Sequence, residues 1–170
     1  NVTLESDGTF SYEPAGEFES LSHGDSELDT FEYVATDGNG GTFSSTVTLV
    51  LHGENDLPQA ADDSEATTED APVSYDSILV NDSDPEGDDL TVKSVEGSAG
   101  NVGSEITLPS GVKVTLTSSG AYTFDPNGQY ESLGESETAT ETFVYTVTDG
   151  NGGTAEATVT IVIDGKDDPP

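Results

Sequence analysis

The sequence predicts an all-β chain, an antiparallel Greek-key β-sandwich arranged in tandem repeats. Three observations carry that prediction. Apolar residues alternate with polar or small ones, as in Phe43, Ser45, Val47, Leu49 and Leu51 and again in Ala155, Ala157, Val159, Ile161 and Ile163; this is the two-residue period of a half-buried strand. Such runs are short, turn residues separate them, and no segment has a convincing helical period. The third observation is that Thr36-Asp37-Gly38-Asn39-Gly40-Gly41-Thr42 recurs letter for letter as Thr148-Asp149-Gly150-Asn151-Gly152-Gly153-Thr154, with Asp149 over Asp37 at an offset of 112. At that offset residues 1 to 58 lie over 113 to 170 without a gap and roughly half the positions agree, which marks a tandem array.

Taken in order, residues 1 to 5 end a strand, Ser6-Asp7-Gly8 is a turn, and Thr9 to Glu13 is the partner strand, because Asp-Gly supplies the positive φ of a tight hairpin. From Pro14 to Glu27 the alternation lapses into a longer connection with Phe18 and Leu21 beneath it. Strands resume at 30 to 36 and 42 to 51, joined by the Asp-Gly-Asn-Gly-Gly hairpin. The stretch Gly53 to Asp63 is an acidic joint bearing Pro58, and Gly165 to Pro170 is its second copy. Beyond the first joint, 64 to 68 and 71 to 77 read as strands, then Ile78-Leu79-Val80, an acidic loop from Asn81 to Asp89, a strand at 90 to 96, and a hairpin of 105 to 108 with 112 to 117 around Pro109-Ser110-Gly111. From Ala121 the first half repeats. The repeat therefore holds at least seven strands, with Val92, Val112, Val114, Leu116, Tyr122, Phe124, Phe143, Tyr145 and Val147 as its expected core. Residues 1 to 56 read as the C-terminal half of a first repeat and 57 to 168 as a complete second one. A start in mid-repeat is expected of a piece of a longer protein. The half-repeat lacks the partner strands of the other half, so low protection, or completion by strands of another chain, is expected there.

Thirty-five Asp and Glu face three lysines and no arginine, for a formal charge of −32. Nothing here could neutralise phosphates, which argues against nucleic acid as a partner. No apolar run approaches the roughly 20 residues of a membrane-spanning helix, which argues against membrane insertion. A folded chain this acidic repels itself and favours bound cations. With no cysteine, any covalent-like staple must come from metal.

The loop Asp82-Ser83-Asp84-Pro85-Glu86-Gly87-Asp88-Asp89 crowds carboxylates at alternate positions around a glycine turn. Calcium is the natural cation, because it takes six to eight oxygens in loose geometry; a solvated acidic loop is the alternative. The loop departs from an EF-hand, which is longer and flanked by helices. The joint adds Asn55, Asp56, Asp62 and Asp63, and the second hairpin adds Asp149.

The run Phe31 to Thr42, the strand Ser45 to Leu51 and Glu54-Asn55-Asp56-Leu57-Pro58 together resemble the closing half of a cadherin-type repeat. More closely they resemble the bacterial cadherin-like or VCBS-type repeats of large RTX-type surface adhesins, and Asp62-Asp63, Thr67-Thr68-Glu69-Asp70 and Asn81 to Asp88 resemble the opening of such a repeat. The resemblance implies a cadherin-like, Ig-like fold with Ca²⁺ at the joints between repeats. Residue by residue it implies Asn55 and Asp56 in the linker, Asp82 and Asp84 as an Asp-x-Asp pair, and Asp149 in the hairpin, with Asp62, Asp63 and Asp88 as further ligands. The cadherin glutamate motif is not recognisable; Glu19, Asp25 or Glu27 stand nearest to it.

Other chemistries find less support. His23 and His52 become Glu135 and Asp164 at the repeat offset, so neither is retained. No serine or threonine has a paired base, no carboxylate pair is singled out for glycoside hydrolysis, and the Asp84-Pro85 and Asp125-Pro126 bonds match calcium-triggered self-cleavage poorly. The expectation is a non-enzymatic, extracellular segment of a bacterial cell-surface adhesin, stiffened by calcium and partnered by neighbouring repeats. The alternative is a module that itself binds carbohydrate or like repeats.

Overall fold

A computed structural model describes residues 1–167; Asp168, Pro169 and Pro170, which close the second repeat and its joint, lie outside the described residues. The chain forms two compact units that divide between Asp56 and Leu57. Among the described residues no helix is long and apolar enough to cross a membrane.

The first unit holds β1 (Val2–Leu4), β2 (Phe10–Tyr12), β3 (Ser26–Thr36) and β4 (Thr42–His52), paired as two antiparallel ribbons, β1 with β2 and β3 with β4. Asp7 closes the first turn by accepting from Thr9 N at 2.9 Å, and Asp37 closes the second by accepting from Asn39 N at 2.8 Å and Gly41 N at 2.9 Å. The ribbons meet where Phe10 packs edge-on against Phe31, centroids 5.2 Å apart, and where Tyr12 Oη donates to Asp29 at 2.6 Å. Strand β3 begins at Ser26, inside the stretch expected to be a connection. Its first residues keep their ladder with β4, Ser26 opposite His52, while their side chains stay largely exposed and so show no alternation to read.

The second unit holds β5 (Asp63–Thr68), β6 (Val73–Tyr75), β7 (Thr91–Val95), β8 (Glu105–Thr107), β9 (Lys113–Leu116), β10 (Tyr122–Asp125), β11 (Thr138–Thr148) and β12 (Thr154–Asp164). They make two four-stranded sheets, in the orders β6-β10-β9-β8 and β5-β12-β11-β7. The chain crosses between the sheets from β5 to β6, from β6 to β7, from β7 to β8 and from β10 to β11, as in an Ig-like Greek-key sandwich. One pair departs from the antiparallel expectation: β5 runs parallel to β12, Asp63 beside Val159 and Thr68 beside Asp164. A parallel pair needs a long crossover, and here the crossover is the rest of the domain. Ile78–Asn81, which the apolar run left undefined, is a turn of 3-10 helix capped by Ser77, and a second such turn is Ala99–Asn101. All nine expected core residues are buried, joined by Val95, Leu108, Val159, Ile161 and Ile163.

Candidate metal centre

The acidic loop leaves the 3-10 turn at Asp82 and is fastened to the entering chain by a two-residue bridge, Gln59 N to Ser83 O at 2.7 Å and Ser83 N to Gln59 O at 2.9 Å. Asp84 then organises the turn. Its Oδ1 accepts from Glu86 N at 3.0 Å and Asp88 N at 3.3 Å, while Gly87, at φ +80°, takes the left-handed conformation that returns its N–H to Asp84 O at 3.1 Å. Folding the loop on itself brings Asp84, Glu86 and Asp88 to one place, each offering a carboxylate oxygen within 4.8 Å of the others. Asp84 Oδ2 is buried and has no hydrogen-bond partner among the described residues.

The second hairpin closes on the same loop. Asn151 Nδ2 donates to Asp88 Oδ2 at 2.7 Å. Behind it Asp149, only 6% exposed, accepts through Oδ1 from Asn151 N at 2.7 Å and from Gly152 N and Gly153 N at 3.0 Å each. Gly153 has no room for a side chain: a Cβ there would fall 2.0 Å from Asp149 Oδ2 and 2.8 Å from Pro58 Cδ.

Of the residues expected as ligands, the structure therefore brings Asp84 and Asp88 together, with the Asp149 hairpin joined to them through Asn151. Glu86, absent from the residues carried over from the resemblance, completes the cluster. Asp82 and Asp84, though one residue apart, face different partners. Asp82 meets Asp63 across the Tyr145 hydroxyl, which lies 3.0 Å from Asp63 Oδ2 and 3.2 Å from Asp82 Oδ2, and Asp82 Oδ1 also accepts from Ala61 N at 2.9 Å. Burial raises the pKa of Asp63, reinforced by the Asp82 charge and opposed by the Tyr145 bond; burial likewise raises that of Asp82 against its bonds from Ala61 and Tyr145. Asp62 accepts from Thr158 N at 2.8 Å, so these three residues fasten β5 to the sheet. Asn55 and Asp56 end the first unit, half-buried, with Asn55 Nδ2 donating to Asp56 O at 2.8 Å.

Glu69, which the sequence offered only within the opening run Thr67-Thr68-Glu69-Asp70 and not as a ligand, is a buried carboxylate. It is 1% exposed, lies just past the end of β5, and accepts from Lys166 N, with Oε2 unpartnered among the described residues. The signal available was that opening run, with an acid directly after a strand.

The two four-stranded sheets and their connectivity make a cadherin- and immunoglobulin-like class of sandwich. The family model for the bacterial cadherin-like domain matches residues 55–165, and the chain belongs to that family. A model for a bacterial Ig domain matches residues 1–50. None of the curated proteins matches the chain. Among solved structures, the EC1-2 region of human mucin-like protocadherin is similar at 18% identity and TM-score 0.46, covering 97% of this chain and 84% of that one. The EC22-24 region of mouse cadherin-23 is similar at 12% identity and TM-score 0.46, covering 98% and 50%. A nucleoside hydrolase-related hypothetical protein from Saccharophagus degradans is similar at 19% identity and TM-score 0.38, covering 65% and 26%. The chain spans a quarter to about a half of the length of the first structures it resembles.

Proposed function

We propose that this chain is a calcium-binding, non-enzymatic repeat segment from the extracellular part of a bacterial surface adhesin, acting as an extender. The observation that carries the reading is the approach of Asp84, Glu86 and Asp88 within 4.8 Å, one of their oxygens buried without a hydrogen bond. Two carboxylates about 4 Å apart repel by about 4 kcal/mol at an effective dielectric near 20. An all-oxygen donor set of this charge suits a hard divalent cation, and calcium accepts its irregular geometry. Bound there, calcium would supply positive charge alone. Asp84 would hold the turn, Glu86 and Asp88 would give further oxygens, and Asn151 would tie the hairpin to the loop. Asn55 and Asp56, as residues of the joint, extend the reading to calcium that stiffens successive repeats.

Calorimetric titration of calcium into the chain tests this, with Asp84→Asn as the comparison. At about 100 times its dissociation constant calcium should stabilise the second unit by about 2.7 kcal/mol. A melting temperature unmoved by about 10 mM calcium, roughly ten times the weakest dissociation constants of extracellular modules, would overturn the reading. Stiffening is tested by small-angle scattering of two full repeats with and without calcium, where an unchanged maximum dimension counts against it.

A further inference from the structure

The hairpin sequence occurs twice, letter for letter, and each copy contains an Asn-Gly pair, Asn39-Gly40 and Asn151-Gly152. Asn-Gly is the dipeptide most open to deamidation, because glycine lacks the side chain that would keep its backbone nitrogen from reaching the asparagine Cγ. The glycine nitrogen loses its proton and bonds to Cγ, ammonia leaves with the Cγ–N electron pair, and water opens the resulting succinimide at either carbonyl to give aspartate or isoaspartate. Both the attacking N–H and the departing amide must be released from hydrogen bonds for this to happen.

The two copies differ in those bonds. In the second, Gly152 N donates to Asp149 Oδ1 at 3.0 Å and the Asn151 amide donates to Asp88 Oδ2 at 2.7 Å, so attacking and leaving groups are both held. In the first, the Asn39 amide makes only a long local contact, 3.4 Å to Asp37 O, and among the described residues no hydrogen bond from Gly40 N is found. Asn39 and Gly40 are both exposed. A third pair, Asn127-Gly128, has its amide anchored to Gly111 O at 2.9 Å, sixteen residues away. We propose that Asn39 is a site of spontaneous succinimide-forming deamidation, and that its twin Asn151 is protected by the bonds to Asp149 and Asp88. The proposal stands apart from the calcium reading.

The identical hairpins provide their own control. The folded chain is aged at mildly alkaline pH with a chelator present, in parallel with the same chain in denaturant. Conversion at each asparagine is read by peptide mapping and mass spectrometry, the flanking residues telling the copies apart. In denaturant the two rates should be equal, since the reacting sequences are the same. In the folded chain Asn39 should convert at least roughly tenfold faster, the factor that about 1.4 kcal/mol of hydrogen-bond restraint supplies. Asp88→Ala should raise the Asn151 rate while leaving Asn39 alone. Equal or inverted rates in the folded chain would overturn the proposal, as would an equally large difference in denaturant. An Asn151 rate unmoved by Asp88→Ala would overturn the share assigned to Asp88. Should that variant fail to fold, the folded and denatured rates of the unaltered chain decide the matter alone.

Discussion

Strands β3 and β4 of the first unit and β11 and β12 of the second are the same hairpin folded twice. Ser26 pairs with His52 and Thr36 with Thr42; at the repeat offset, Thr138 pairs with Asp164 and Thr148 with Thr154. The length, register and turn agree, yet the burial does not. Phe143, Tyr145 and Val159 are fully buried, while their counterparts Phe31, Tyr33 and Val47 are only half-buried. Leu116 is 1% exposed and Tyr122 2%, against 46% for Leu4 and 43% for Phe10. Alternation and an Asp-Gly-Asn-Gly-Gly turn suffice to make a registered ribbon. They do not make a core, because in the second unit the covering side chains come from elements that the first unit has no counterpart for: β5 to β8 and the turns between them.

The largest effect expected from this difference is in hydrogen exchange. Amides of β11 and β12 should open only with the whole second unit, whereas those of β3 and β4 should exchange by local opening, faster by orders of magnitude. Equal protection of the two hairpins in a proven monomer would break the comparison. Next comes the paired truncation of one aromatic. Phe143→Ala should cost about 3–5 kcal/mol, as for a buried aromatic. Phe31→Ala, at a position only half-buried, should cost less, about 1 kcal/mol. Denaturant unfolding of each variant measures both.

A smaller contrast lies at the hairpin glycines. Gly153→Ala must displace Asp149 and Pro58 and should cost about 1–3 kcal/mol. Gly41→Ala meets only the exposed Asp37 carboxylate, whose Oδ2 a Cβ would approach to 2.6 Å, and should cost less. If the two costs are equal, the packing of Pro58 against the second hairpin contributes nothing.

The smallest effect concerns pH. In the first unit, hydrogen bonds lower the pKa of Asp7, Asp29 and Asp37, chiefly from Thr9, Tyr12 and Asn39 respectively. Carboxylates with lowered folded values stabilise the fold above their unfolded pKa, and that stability is lost as pH falls through the folded value. In the second unit Asp63 and Asp82 are raised by burial, so their contribution is fully present below the unfolded pKa and is lost as pH rises through the folded one. Acidification from neutral into the carboxylate range should therefore weaken the first unit more than the second. Exchange rates followed across that range check this, and a uniform response of both units would contradict it.

Part of the candidate site is legible in the sequence. Asp84 and Asp88 stood out by their spacing around Gly87, and Asp149 by its place in a repeated hairpin. Glu86 stands in the same loop but outside the Asp-x-Asp pair that the resemblance implies. The separation of Asp82 from Asp84 was not legible, because alternate residues of an extended segment share a face, and only the bridge between Gln59 and Ser83 and the turn at Asp84 send the two carboxylates apart. That Glu69 is buried was hidden for a related reason: the backbone N–H it accepts from is that of Lys166, nearly a hundred residues away.

The sequence by itself determined what is local: the strand periods, the hairpin turns, the repeat, and the side chains apolar enough to seek a core, since each follows from backbone sterics and transfer energy within a few residues. Only the tertiary structure decided what depends on distant chain meeting. It placed β5 parallel to β12, buried one copy of the hairpin and left the other half-covered, and closed the second glycine hairpin onto Asp88. These outcomes require surfaces from far along the chain, and no local pattern encodes which surface arrives.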